Sequence, residues 1–129
     1  MNDFITKLRI EFEKNADPDI ALGQKAYMKN QFEFYGIKTP LRRKIQKPFL
    51  VKTSLPPKVE LESIVKILWA KPQREYQYFS QELALRYVNR FEKKDIELFE
   101  FMILHKSWWD TIDFIASKLV GACFKTDVG

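Results

Sequence analysis

Residues 57–90 read PKVELESIVKILWAKPQREYQYFSQELALRYVNR. After Pro57, the apolar residues Leu61, Ile64, Val65 and Leu68 recur at three- and four-residue steps, which is one face of a helix. Lys71-Pro72 stops that helix, because proline disfavours helical backbone in the residue before it. From Gln73 to Arg90 the pattern resumes, with Tyr76, Phe79, Leu83 and Tyr87 on one stripe. Two amphipathic helices joined by so short a break fold back on each other as an antiparallel hairpin.

The same alternation extends in both directions. Phe4 to Asn15 carries apolar residues at 4, 5, 8 and 12. Asp17-Pro18 is a cap followed by a first-turn proline, and predicts a helix to about Asn30. Phe32 to Lys38 reads as a loop around Gly36. Thr39-Pro40 repeats the cap-plus-proline signal and opens a basic helix to about Val51, and Thr53 to Pro57 is a second break. Beyond Arg90, Lys94 or Asp95 starts a helix containing Ile96, Phe99, Met102 and Ile103. Ser107 is expected to cap a last helix running toward Phe124.

About seven helices result, with a hairpin period of roughly 35 to 40 residues, the length of an α-solenoid repeat. Pro40-Leu41-Arg42 and Pro72-Gln73-Arg74 form a faint internal echo. The expected fold is all-α, a HEAT/ARM-like α-α superhelix, in one domain over residues 1–129 with no linker.

Composition removes several classes. The chain has 129 residues, 46% hydrophobic and 30% charged, so it is neither a disordered tail nor a membrane span. One cysteine, Cys123, excludes an internal disulfide framework and a cysteine-based zinc finger. One histidine, His105, excludes a multi-histidine metal site and weakens histidine acid–base chemistry. Neither GxGxxG nor GxxxxGK[ST] occurs. No metal and no cofactor are expected. The amino terminus has no apolar targeting core, so a reduced, soluble, cytoplasmic protein is expected.

The formal charge is +5, and its distribution says more than its size. Lys25 to Lys58 holds nine basic residues and one acid, a net of +8, while the remainder is net negative. Such a stretch binds a polyanion by releasing its counterions. An anionic membrane fits less well, because the stretch lacks a strongly apolar opposite face. A solvated face that only keeps the protein soluble remains the plain alternative.

Lys106-Ser107-Trp108-Trp109-Asp110-Thr111-Ile112-Asp113 is the segment richest in chemistry. Ser107 and Asp110 have capping-box spacing, which gives Asp110 a structural role. Trp108, Ile112, Ile115 and Leu119 form an apolar stripe, so Trp108 is expected in the core. Trp109 and Asp113 are i,i+4 neighbours on another face. An indole face beside a carboxylate makes a site for positive charge. The plain alternative is that Trp109 fills an interhelical groove and Asp113 bonds a neighbouring side chain. His105 is expected to end the preceding helix, and Cys123 to be a small buried hydrophobe.

Four ordered blocks carry a resemblance. They are Tyr27 to Phe32 (YMKNQF), Gly36 to Arg43 (GIKTPLRR), Leu68 to Tyr78 (LWAKPQREYQY) and Lys106 to Asp113 (KSWWDTID). Together they resemble the AlkD-like glycosylases of the DNA alkylation repair family. The resemblance implies a HEAT-like solenoid wrapping duplex DNA. It implies hydrolysis of the N-glycosidic bond of cationic alkylpurines, such as 3-methyladenine and 7-methylguanine, without a base-flipping pocket. It makes Trp109 the aromatic group and Asp113 the carboxylate at the reacting sugar.

Tyr27, Lys29, Lys38, Arg42, Arg43, Lys44, Lys47 and Lys106 are then expected at the DNA. The family continues for about as many residues again and supplies a further arginine and tryptophan. The chain is therefore expected to be a truncated amino-terminal half, open to self-association at its cut end. The alternative is a non-catalytic helical-repeat module binding nucleic acid or protein.

Overall fold

The computed structural model describes residues 2–128, with side chains from Asp3 to Phe124. The elements are α1 (Asn2–Lys14), α2 (Pro18–Tyr27), α3 (Thr39–Leu50), α4 (Leu61–Trp69), α5 (Arg74–Leu85) and α6 (Asp95–Leu104). Then α7 (Trp109–Phe114) passes through a π-helical turn, Ile115–Val120, into α8 (Gly121–Val128). These last three pieces form one rod, giving seven rods among the described residues. No strand is present among them; Glu33 and Gln73 form one isolated bridge. No helix among the described residues is long and apolar enough to cross a membrane.

The expected solenoid period is present. α3, α5 and α7 begin at Thr39, Arg74 and Trp109, a constant step of 35 residues, and each follows an extended residue. α4 packs on α5, and α6 packs on the last rod through its π-turn. In the first pair it is α1 that packs on α3. The Pro-x-Arg echo does not share this register, because Pro40 lies inside α3 while Pro72 precedes α5.

One core runs through the pairs. Leu8 and Phe12 of α1, Leu61, Ile64, Val65 and Leu68 of α4, and Tyr76, Phe79 and Leu83 of α5 are buried. Phe99 and Met102 of α6 continue it to Ile115, Leu119 and Cys123. The expected stripes therefore face inward, and their apolar area supplies the main driving force for folding.

α2 is different, because none of its side chains is buried. It is held at its ends. Asp17 caps it, accepting from the Asp19 and Ile20 N–H groups, and the Asp17 N–H donates to the Tyr35 carbonyl. It stops at Tyr27, earlier than the sequence suggests, because Lys29 and Asn30 turn the chain with φ of 58° and 60°.

The loop after α2 is fixed by Glu75 of α5. This fully buried carboxylate accepts from the N–H groups of Tyr35 at 3.0 Å, Gly36 at 3.1 Å and Ile37 at 3.2 Å. Three N–H donors offset the cost of burying the charge. Gly36 has φ of +93°, and a Cβ there would lie 2.0 Å from the Asp17 carbonyl oxygen. Gly36→Ala is expected to destabilise the protein by about 3 kcal/mol. Urea denaturation checks this; an unchanged midpoint would show that the loop is not pinned.

Candidate active site

The turn between α6 and α7 sets the position of the Trp-Trp-Asp segment. His105 ends α6, donating its N–H to the Phe101 carbonyl at 3.1 Å and stacking its ring on Phe101. The Ser107 hydroxyl donates to the Ile103 carbonyl. Ser107 therefore closes α6 and does not cap α7. The residue in the cap position is Trp108, which makes no side-chain cap bond. The interior reaches out to this turn: Trp69 Nε1 donates to the His105 carbonyl at 2.7 Å, and Arg74 Nη1 to that of Lys106 at 2.7 Å.

Arg74 is the centre of the arrangement and is 0% exposed. Its Nη2 and Nε donate to the two Asp110 carboxylate oxygens at 2.5 and 3.1 Å. Nη2 also donates to the Thr111 hydroxyl at 3.0 Å. The guanidinium lies 3.9 Å from the Phe32 ring centroid, and Phe32 meets Trp108 edge-on.

The Tyr78 hydroxyl donates to Asp110 at 2.5 Å. Burial, and next that bond to a carboxylate, push the Tyr78 phenol well above its usual range, so it stays a donor. Asp110 is thus structural, as expected, but through Arg74 and Tyr78. A buried arginine 36 residues away outcompetes the local capping box. Trp108 is half-buried against Phe32, short of the full core position expected of it.

Trp109 and Asp113 lie on the other side of the same helix. Trp109 is 75% exposed. Asp113 is exposed, and its carboxylate has no hydrogen-bond or ion-pair partner among the described residues. The π-turn begins two residues later, and the Asp113 carbonyl accepts from the Ser117 hydroxyl at 2.6 Å. π-turns inside helices often mark functional sites. The constant 35-residue step makes Arg43, Tyr78 and Asp113 equivalent positions on α3, α5 and α7, a cation, a phenol and a carboxylate in turn.

An open groove of about 720 Å³ lies alongside, between α2, the start of α3, α5 and α7. It brings together Tyr27, Lys38, Arg42 and Arg43 with Asp110 and Phe114. Tyr27 stands 85% exposed at its edge. Gln81 lies in its lining with an amide oxygen that is buried and unpartnered in the protein.

The family model described as DNA alkylation repair enzyme matches residues 8–128. The chain belongs to this family. A solved structure, titled "Predicted DNA alkylation repair enzyme from Enterococcus faecalis", is 34% identical, with a TM-score of 0.78. The match covers 88% of this chain and 53% of that one, so the chain spans about half the length of that relative. No curated protein matches the chain.

Trp109 and Asp113 share a face one turn apart, and Tyr27, Lys38 and Arg43 line the groove. Lys29, Lys44, Lys47 and Lys106 are exposed but do not line it. Lys106 adopts φ of 58°, and its carbonyl is taken by Arg74.

Arg42 is the exception to the expected surface cations. It is 5% exposed, donates to Glu82 at 2.5 Å and Gln46 at 2.9 Å, and so offers little free charge to a ligand. Sequence reasoning missed Arg74 and Tyr78, although the Pro-x-Arg echo points at Arg74.

The two aspartates of this helix are expected to separate cleanly by mutation. Asp110→Asn leaves the buried Arg74 charge without a counter-ion and is expected to cost about 3 kcal/mol. Asp113→Asn is expected to shift stability by less than about 0.5 kcal/mol. Denaturation midpoints of the two variants decide this; equal losses would contradict the division of labour.

Proposed function

We propose that this chain contributes the reacting face of an alkylpurine DNA glycosylase. The substrate is duplex DNA, and the bond hydrolysed is the N-glycosidic bond of a cationic alkylpurine, such as 3-methyladenine or 7-methylguanine. The observation that carries this reading is the exposed, unpaired Trp109–Asp113 pair on a helix whose start is locked by a buried ion pair.

The chemistry follows from charge. An alkylated purine already bears a positive charge, so it leaves without protonation. As the bond stretches, that charge passes to the sugar as an oxocarbenium ion. The Asp113 carboxylate and the Trp109 π-face stabilise it more than they stabilise the ground state. Asp113 also places the water that attacks the sugar. No general acid is required, and the one histidine ends α6 with its Nδ1 beside the Phe101 carbonyl. The base need not enter a closed pocket, since the groove beside α7 is open.

Lys38 and Arg43, in the groove, are the first proposed phosphate contacts, with Tyr27 at its edge. Lys29, Lys44, Lys47 and Lys106 extend the cationic surface. A helical-repeat scaffold that only binds has no need of an exposed tryptophan beside an unpaired carboxylate.

The test is release of 7-methylguanine from methylated duplex DNA. Asp113→Asn is expected to lower the rate by at least about 100-fold, while binding to unmodified duplex is unchanged. Equal release by both proteins would remove Asp113 from the mechanism. Release by neither would make this chain a DNA-binding half that needs the length its relative possesses.

A further inference from the structure

A second cleft of about 720 Å³ lies at the carboxyl-terminal ends of α3 and α5. Its lining includes Lys52, Arg86, Asn89 and Arg90, and it contains no carboxylate. We propose that this cleft is a second phosphate-binding site, which takes the sugar-phosphate backbone of duplex DNA beyond the stretch held at α7. The proposal rests on the reading of the partner as DNA, and it concerns residues that the first groove does not use.

Three observations support it. The first is unbalanced charge. Lys52, Arg86 and Arg90 are exposed, and none has an ion-pair partner among the described residues. Cations placed deeper in this protein do have one: Lys58 pairs with Asp95, Arg42 with Glu82 and Arg74 with Asp110. Three like charges around one cleft raise its positive potential and favour the entry of an anion. Glu60 is the acid whose field reaches Tyr87 here, and it is not among the lining residues.

The second is preorganisation. The Tyr87 hydroxyl donates to the Pro56 carbonyl, which fixes the ring against the Pro56-Pro57 break. The Arg90 guanidinium sits 5.1 Å from the centre of that ring. The ring contact restricts the side chain beside the cleft before any ligand arrives, which lowers the ordering cost of binding.

The third is continuity. Tyr78, Glu82 and Arg86 follow one another at four-residue steps along α5 and its carboxyl-terminal cap, so Arg86 lies about 12 Å along the axis from Tyr78. Tyr78 and Glu82 line the first groove, and Arg86 lines the second. A polyanion lying along α5 meets both. The plain alternative is that these cations only complement the helix carboxyl-terminal dipoles. That alternative predicts an effect on melting and none on DNA.

The experiment measures the affinity of fluorescently labelled, unmodified duplex DNA across a series of salt concentrations. The proteins are the wild-type chain, a triple variant (Lys52→Gln, Arg86→Gln, Arg90→Gln) and a groove variant (Lys38→Gln, Arg43→Gln). The triple variant is expected to flatten the plot of log affinity against log salt by about 2.7 units, close to 0.9 for each phosphate left unneutralised. Its thermal melting is expected to match wild type, since all three side chains are exposed.

A triple variant with the wild-type slope, beside a groove variant with a reduced one, would overturn the second site and leave DNA as the partner. Wild-type slopes in both would overturn the two readings together. Lowered melting with an unchanged slope would assign these cations to the helix ends.

Discussion

Arg74 places a permanent positive charge where no water reaches it. Four of the five N–H donors of this buried guanidinium make hydrogen bonds, and its partners come from separate stretches of chain. Phe32 supplies a ring face, Lys106 a carbonyl, Asp110 a carboxylate and Thr111 a hydroxyl. The backbone N–H of Arg74 donates to the Glu33 carbonyl at 2.8 Å. The loop after α2, the start of α5 and the start of α7 are thereby held at one point. Glu75, the next residue, repeats this with the opposite charge by gathering the N–H groups of residues 35–37. Neighbouring residues of opposite sign thus tie successive repeats together. The apolar stripes supply most of the driving force, but they do not choose the angle at which α7 emerges.

That angle governs what the helix can offer. Asp110 faces inward and is consumed by the ion pair, while Asp113, three residues on, faces outward with its charge unspent. The two tryptophans divide in the same sense: Trp108 turns to Phe32, and Trp109 to solvent. Arg43, Tyr78 and Asp113, at the same position of α3, α5 and α7, also differ in charge from repeat to repeat.

Much of this architecture is legible from residues alone, because it rests on local rules. The apolar steps of α4 and α5, the Asp17-Pro18 start and the loop at Gly36 all sit where sequence places them. The i,i+4 relation of Trp109 and Asp113 is legible for the same reason. What escapes the sequence is long-range. Ser107 has the spacing of a cap, yet its hydroxyl turns back to Ile103, and the Asp110 carboxylate is held by Arg74 instead. Arg42 reads as one more cation in a basic run, until Glu82, 40 residues on, draws it inside. Thr39 resembles a cap, but Lys38 occupies that position and makes no side-chain cap bond. The misses at Ser107 and Arg42 both involve a charged group whose partner is distant in the chain.

α2 forms one wall of the groove without burying a single side chain. Substitutions along it alter the width and chemistry of the groove and leave the core undisturbed. The opposite wall, on α5 and α7, has no such freedom, because Tyr78 and Asp110 are also part of the buried network. Among related sequences the two walls should therefore drift at different speeds. Substitutions should accumulate on α2, while the wall formed by α5 and α7 stays nearly constant.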